Sequence, residues 1–366
     1  MNTALLHYWL TCMRGGENVL AEFCRLFPDA DIFTHAWNPK KVDEPFSRHR
    51  ITETFIARLP FGRTRCQMYL PLMPAALKSL DLSGYDFILS SESGPAKGVL
   101  KRPGALHVCY CHTPMRYLWD MYEEYYKASG FVGKIAMRLF KNRLRKYDLW
   151  SAEGVDHFIA NSNFVAERIK RIYGRTAEVI YPPVDVRFYS ESVRDNAIFG
   201  NPYYLFVGQL LPYKGPDLVL EACRRMNRRV VFVGTGSMQK SLRRVAPDNA
   251  LFVGPASRDT LRKMYAGARA LIFPGIEDFG IVPVEAQAAG TPVIALGQGG
   301  ALETVRDGET GLFFHERNVD ALCNAIEQFE GMTFDPQKVK SSVARFSTEK
   351  FREKIRFSLS RLGVNI

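Results

Sequence analysis

The chain has 366 residues, 46% of them hydrophobic and 24% charged, with a formal net charge of +11 and a pI near 9.3. That length exceeds one ordinary hydrophobic core, so two domains are expected, and the composition is that of a soluble globular protein. No run is long and apolar enough to span a bilayer, and the basic balance points to nucleic acid, a membrane surface or an anionic substrate as partner.

The first residues, MNTALLHYWLTCMRGG, carry no basic leader and no clear cleavage site, which predicts a chain that stays in the cytoplasm. TALLHYWL reads as a strand and RGGENVLAEFCRLF as a glycine turn opening a helix. YDFILSS and ALHVCYCH read as buried strands, and VDHFIANS as another, followed by a helix over NFVAERIKRIYG. This alternation predicts a parallel sheet with helices on both faces. Cys109 and Cys111 share one face of their strand and could bind metal with His112. The seven cysteines are otherwise scattered, with no second ligand pair of zinc-like spacing, so the pair is read as two small apolar residues in a reduced strand.

FVGKIAMRLFKNRLRKYDLW holds six basic residues and one acid among apolar ones. As a helix it is basic and amphipathic, a pattern suited either to anionic lipid or to a solvated face. RLPFGRTRCQMYLPLMP is a second apolar and basic stretch. AEVIYPPVDVRFYS breaks the rhythm with two prolines, and polar, irregular chain is expected through about Asn201. The first domain is therefore taken as 1–190. YYLFVG, RVVFVG, NALFVG, ARALIFPG and TPVIAL then give five short buried strands, four ending at glycine, in a second doubly wound domain over 191–345. The last stretch, 346–366, is expected to be a helix that packs back on the first domain. Ligands of such sheets bind beyond the carboxyl ends of the strands, so the glycine turns are where chemistry is expected.

One of those turns is EDFGIVPVEAQAAGTPVIA, from Glu277 to Ala295. Gly280 permits close backbone approach to a ligand, and Pro283 suits the first turn of a helix, where its missing N–H is no loss. The amides of Gly280, Ile281 and Val282, together with the helix dipole, form an anion site just after Phe279. An acid on each side of that cradle, Glu277 and Glu285, can accept paired hydrogen bonds from hydroxyl-rich groups such as a sugar and a ribose.

The block resembles the E-x7-E motif of the family 4 glycosyltransferases, and its flanks GGALETV and DGETGLFF agree. The resemblance is tightest over residues 203–315 and implies a GT-B fold: α/β, two Rossmann-like doubly wound domains facing across a cleft. It implies that Glu277 contacts the donor sugar and Glu285 the ribose. VGQLLPYKGPDLVLEA resembles the family turn whose basic pair binds the donor diphosphate; Lys214 matches, but Gln209 stands where an arginine is expected. FVGTGSMQKSL, with Gly234, resembles the turn near the nucleotide base. MRGGENVL resembles the family loop that lies beneath the donor phosphates and the acceptor, which implies that place for Gly15 and Gly16. CYCHTPMRYLWDMYEEY resembles the family segment with a histidine near the reacting centre, which implies that role for His112, with Arg116 and Trp119 expected to line the same cleft. This last phrase resembles the bacterial O-antigen and exopolysaccharide mannosyltransferases.

The expectation is a retaining glycosyltransferase at the inner face of the cell membrane. GDP-mannose is the expected donor, with a UDP-sugar as the alternative, and a lipid-linked saccharide the acceptor. An anionic membrane surface is the expected partner; no cofactor, obligatory metal or nucleic acid is expected. A dehydrogenase would need G-x-G-x-x-G in the first βα turn, which MRGGENVL does not supply. A non-enzymatic membrane or nucleic-acid binder would leave the paired glutamates without purpose.

Overall fold

Strands buried on both faces must present apolar side chains in both directions, and the first strand, Thr3–His7 (β1), does so. Its Leu5 joins one core cluster, while Ala4 and Leu6 join another on the opposite face. The computed structural model describes residues 1–191 and 202–366. Asp31–Thr34 (β2), Ile51–Glu53 (β3), Phe87–Glu92 (β4), Leu106–Cys111 (β5), His157–Ala160 (β6) and Ala177–Val179 (β7) complete the first parallel sheet, in the order β3-β2-β1-β4-β5-β6-β7. Tyr204–Val207 (β8), Val230–Val233 (β9), Ala250–Gly254 (β10), Ala270–Phe273 (β11), Val293–Leu296 (β12) and Gly311–Phe314 (β13) form the second, in the order β10-β9-β8-β11-β12-β13. Each sheet is doubly wound and reverses its winding once, between β1 and β4 and between β8 and β11. A crevice opens beyond the strand ends at such a reversal.

The expected interior strands all form. The sequence reading passed over β2, β3, β7 and β13; β3 and β7 are three-residue edge strands, half-buried throughout, and so carry no apolar run to register. The chain divides into one unit of Met1–Pro183 with Phe351–Ile366 and another of Val184–Lys350, rather than after residues 190 and 345. Packing explains both differences. The short helix Val186–Ser190 lies against the helix Ile281–Ala288 of the second unit. Phe351, Ile355 and Leu359 of the last helix, Thr348–Arg361, enter the first unit's core. The polar stretch expected to be irregular lies, from 192 to 201, outside the described residues.

The basic segment forms one helix, Phe131–Glu153, but much of its basic face has internal partners. Lys134 and Arg138 lie over the Tyr126 ring, Lys141 over Tyr122 and Arg145 over Trp119. Arg145 also donates to the Leu118 carbonyl at 2.7 Å. Arg143 and Lys146 remain exposed, as do Phe131, Val132, Ile135 and Leu139. Leu70, from the second apolar and basic stretch, packs in the same cluster as Phe140 and Leu144 of this helix. Among the described residues no helix is long and apolar enough to cross a membrane.

Phe351 is only 2% exposed, with its ring 5.8 Å from those of both Phe23 and Tyr110. Phe351→Ala is expected to lower the stability of the first unit by about 3–5 kcal/mol, read by denaturant unfolding. A loss below about 0.5 kcal/mol, as at an ordinary surface position, would remove the last helix from that core.

Candidate functional site

In the second unit the chain leaves β11 through Gly275, turns at Glu277 to Phe279, and enters the helix Ile281–Ala288 from Gly280. Gly280 has φ +92°, a left-handed conformation that a β-carbon makes costly. The turn is clamped from β12. The Gly300 amide donates to the Glu277 carbonyl at 2.8 Å, and any side chain on Gly300 would overlap the backbone of Phe279. Phe279 is buried, its ring 5.3 Å from that of Phe346. Pro283 occupies the first helical turn, and the amides of Ile281 and Val282 stand at the open helix end.

The Lys214 ammonium donates to Glu277 Oε1 at 2.5 Å, both side chains being largely covered. The same nitrogen lies beside Gly208, at the end of β8. Gly234, after β9, packs so closely on the Gly208 carbonyl that no side chain fits. Gln209 is exposed on the turn between Gly208 and Lys214. Lys214, Glu277, Gly234 and Gln209 therefore meet at the carboxyl edge of β8, β9 and β11, where the winding reverses. A further cation, missed in the sequence, reaches this turn: the Arg317 guanidinium donates to the Pro212 carbonyl at 2.7 Å.

Glu285 has other partners. The Tyr189 hydroxyl donates to its Oε1 and the Tyr265 hydroxyl to its Oε2, each at 2.9 Å. Burial pushes its carboxyl up to about 7; the two hydrogen bonds and the Arg258 charge act in the opposite sense. Neither tyrosine was anticipated, since they lie 96 and 20 residues from Glu285.

In the first unit His112 follows β5, and its Nε2 is 2.9 Å from Ser91 Oγ on β4. Ser91 Oγ is in turn 3.2 Å from Nδ1 of His7, the last residue of β1. Glu17, in the first turn of the helix Gly15–Leu26, caps the Arg14 amide at 2.9 Å and lies 3.7 Å from His7. Gly16 faces this row: a β-carbon there would crowd the Tyr8 hydroxyl and touch His112 and His7. Gly15, Gly16 and His112 are thus assembled at the first sheet's reversal. Burial, and then the neighbouring His7, lower the His112 imidazole to about 3, so it is neutral near pH 7.

Arg116 and Trp119 are half-buried on the loop after His112. The Trp119 indole N–H is committed to Asp148 Oδ2 at 2.7 Å. Asp148 also receives the fully buried Lys97 at 2.6 Å, which bonds Glu92 at 2.8 Å. Trp119 is thereby anchored on an interior ion network, where one lysine serves two carboxylates and burial pushes Glu92 up. Cys109 and Cys111 lie among Ala152, Val155 and Phe158, in apolar surroundings that push the Cys111 thiol well up. Among the described residues no three His, Cys, Asp or Glu side chains are grouped as a metal site.

Comparison with known proteins bears on both units. Residues 13–188 match the family Glycosyltransferase Family 4, and residues 190–343 match Glycosyl transferases group 1. The chain is 32% identical over 207 residues to a D-inositol 3-phosphate glycosyltransferase of Kribbella flavida, covering 48% of each protein. It is 33% identical over 205 residues to one from Mycobacterium leprae, covering 50% of this chain and 47% of that protein. The chain thus spans about half the length of the curated relatives it matches. Among solved structures it resembles Anabaena Alr3699/HepE in complex with UDP, with TM-score 0.71, 18% identity, and 99% of this chain and 100% of that one covered. It also resembles sucrose-phosphate synthase from Thermosynechococcus elongatus, with TM-score 0.73, 18% identity and 99% of both chains covered. The fold is GT-B, with two Rossmann-like parallel-sheet domains.

The neutral state of His112 can be read directly. The ring-carbon NMR shifts assigned by comparison with His112→Gln are expected to stay those of neutral imidazole at pH 5. A titration near the ordinary histidine value of about 6.5 would contradict the burial described here.

Proposed function

The chain belongs to the family 4 glycosyltransferases, and on that premise we propose that it transfers a sugar from a nucleoside diphosphate sugar to an acceptor, with retention at the anomeric carbon. The observation that carries the reading is the Lys214–Glu277 pair beside the open helix end at Gly280 to Val282, with Glu285 in the same helix. Lys214 and those amides would take up the charge that develops on the departing diphosphate, as preorganised donors do without reorganisation. Freed from Lys214, Glu277 can accept two hydroxyls of the transferred sugar. Glu285, fixed by two phenols, keeps lone pairs for the ribose hydroxyls. His112, at the sheet reversal of the first unit, acts as a neutral hydrogen-bonding group rather than as a cation. Gln209 brings no charge to the diphosphate, and Arg317 is the further cation on that turn. No metal or other cofactor has a part in this scheme.

The finer reading is a mannosyltransferase that uses GDP-mannose and a lipid-linked saccharide in cell-surface polysaccharide synthesis. It rests on the phrase CYCHTPMRYLWDMYEEY. A UDP-sugar is the second reading for the donor, favoured by Anabaena HepE, which was solved with UDP and with UDP-glucose. The Kribbella and mycobacterial relatives are named for a phosphorylated inositol acceptor, which favours a small phosphorylated polyol as the second reading for the acceptor. Peripheral attachment at the inner face of the membrane is supported by exposed Phe131, Val132, Ile135 and Leu139 next to Arg143 and Lys146.

Calorimetric titration with UDP, GDP and their sugars tests the donor reading. Glu285→Ala is expected to weaken nucleotide binding by about 1–3 kcal/mol through the lost acceptor. Glu277→Ala should reduce turnover more than affinity for the free nucleotide, which lacks the sugar. Equal losses of nucleotide affinity in both variants would contradict this division of roles.

Liposome cosedimentation tests the membrane reading. The wild-type protein should bind anionic vesicles and leave them at high salt, because each exposed basic residue adds about 1 kcal/mol near such a surface. Replacing Arg143 and Lys146 with glutamate should abolish binding while sparing the aromatic stacks. Indifference of the wild type to anionic vesicles would make the helix an ordinary solvated face.

A further inference from the structure

We propose that Tyr189 and Tyr265 are positioning residues that hold Glu285 as an oriented carboxylate, so that the protein grips its donor only while Glu285 is ionised. The inference rests on the donor reading above and adds two residues and a pH dependence to it.

The geometry comes first. The two hydroxyls approach different oxygens of one carboxylate, each at 2.9 Å, and so fix its plane. They arrive from two separate elements, the helices Val186–Ser190 and Arg258–Gly267, both packed on the Glu285 helix. Tyr265 is fully buried, Tyr189 is 3% exposed, and their rings are 5.7 Å apart edge to face. Phenols in such surroundings stay protonated, and burial pushes both well above the ordinary tyrosine value. They can therefore only donate to a carboxylate that can only accept, which leaves one further lone-pair site on each oxygen.

Among the described residues, the charge that acts on the carboxylate is Arg258. Arg258 favours its ionised form from the Tyr265 helix and is itself paired with Asp185 at 2.9 Å. Lys340, on the packed helix Pro336–Ser342, donates to the Ser190 carbonyl at 2.9 Å. The packed helix Ala301–Thr304 carries Glu303, and the Glu285 helix itself holds no other charged residue. Burial raises Glu285 and the two phenols lower it, the balance being about 7. As pH falls through that value the carboxyl takes a proton and loses acceptor sites. Without a phenol the balance moves toward the protonated form, so the loss begins at higher pH.

Two measurements test this. Carbon-13 NMR of labelled glutamate, with Glu285→Gln for assignment, reads the titration without any ligand. Tyr265→Phe and Tyr189→Phe keep the rings and should each raise the Glu285 midpoint, by about one pH unit for the loss of one charge-assisted hydrogen bond. Calorimetry with UDP-glucose and with GDP-mannose, whose phosphodiesters do not titrate near neutrality, reads the consequence. Affinity should fall at acid pH with the Glu285 midpoint in the wild type and move with it in each phenylalanine variant. In Glu285→Gln it should be weak and independent of pH. An unmoved Glu285 midpoint in both phenylalanine variants, or binding weakened equally at every pH, would overturn the proposal. If the midpoint moves but neither donor binds the wild type, the tyrosines do hold the carboxylate and the donor reading is what fails.

Discussion

The second unit turns on where a single ammonium lies. Lys214 follows β8, Glu277 follows β11, and the two meet at 2.5 Å across the point where the winding of the sheet reverses. A largely covered lysine needs a partner, and in this structure Glu277 is that partner. The backbone makes room for the meeting. Gly275 lets the Lys214 backbone approach β11, and Gly300 closes from β12 on the turn that carries Glu277. A diphosphate entering beside Gly280 would compete for the lysine and release a carboxylate toward the sugar. On the proposed function, anion binding and sugar recognition would be coupled in this way through one ion pair.

The first unit solves a related problem with a row of hydrogen bonds. His112, Ser91 and His7 come from β5, β4 and β1, and the row ends near Glu17 at the start of the glycine-opened helix. Burial keeps the outermost imidazole neutral, so His112 offers an oriented polar group rather than a charge. The loop that follows is tied through Trp119 to Asp148, and Asp148 to Lys97 and Glu92. Removing the buried lysine would leave two buried carboxylates without their shared counter-charge, a costly arrangement.

Much of this was legible in the sequence because buried parallel strands are continuous apolar runs. YYLFVG, RVVFVG, NALFVG and ARALIFPG announce β8 to β11 and the turns after them. Edge strands such as ITE and AEV gave no such signal. The acids Glu277 and Glu285 stood out through their spacing around a helix start, and Lys214 through the resemblance of its turn to the family's diphosphate-binding turn. Their partners did not stand out. Nothing in the sequence marks Tyr189 and Tyr265, and only the fold brings their hydroxyls to Glu285. Lys97, in SGPAKGVL, carries no sequence signal of burial, and the fold brings Asp148 to it from 51 residues away. The basic helix was read for its own periodicity alone. WDMYEEYY, just before it, already held the rings that Lys134, Arg138, Lys141 and Arg145 cover.

The central claim is that one nucleoside diphosphate spans Lys214, the helix start at Gly280 to Val282, and Glu285. A crystal structure of the protein soaked with the tighter-binding of UDP and GDP tests it most directly. The diphosphate is predicted to contact the Lys214 ammonium and the amides after Gly280, with Lys214 parted from Glu277 and a ribose hydroxyl on Glu285. A nucleotide bound elsewhere, with the Lys214–Glu277 and Glu285–tyrosine contacts unchanged, would contradict it.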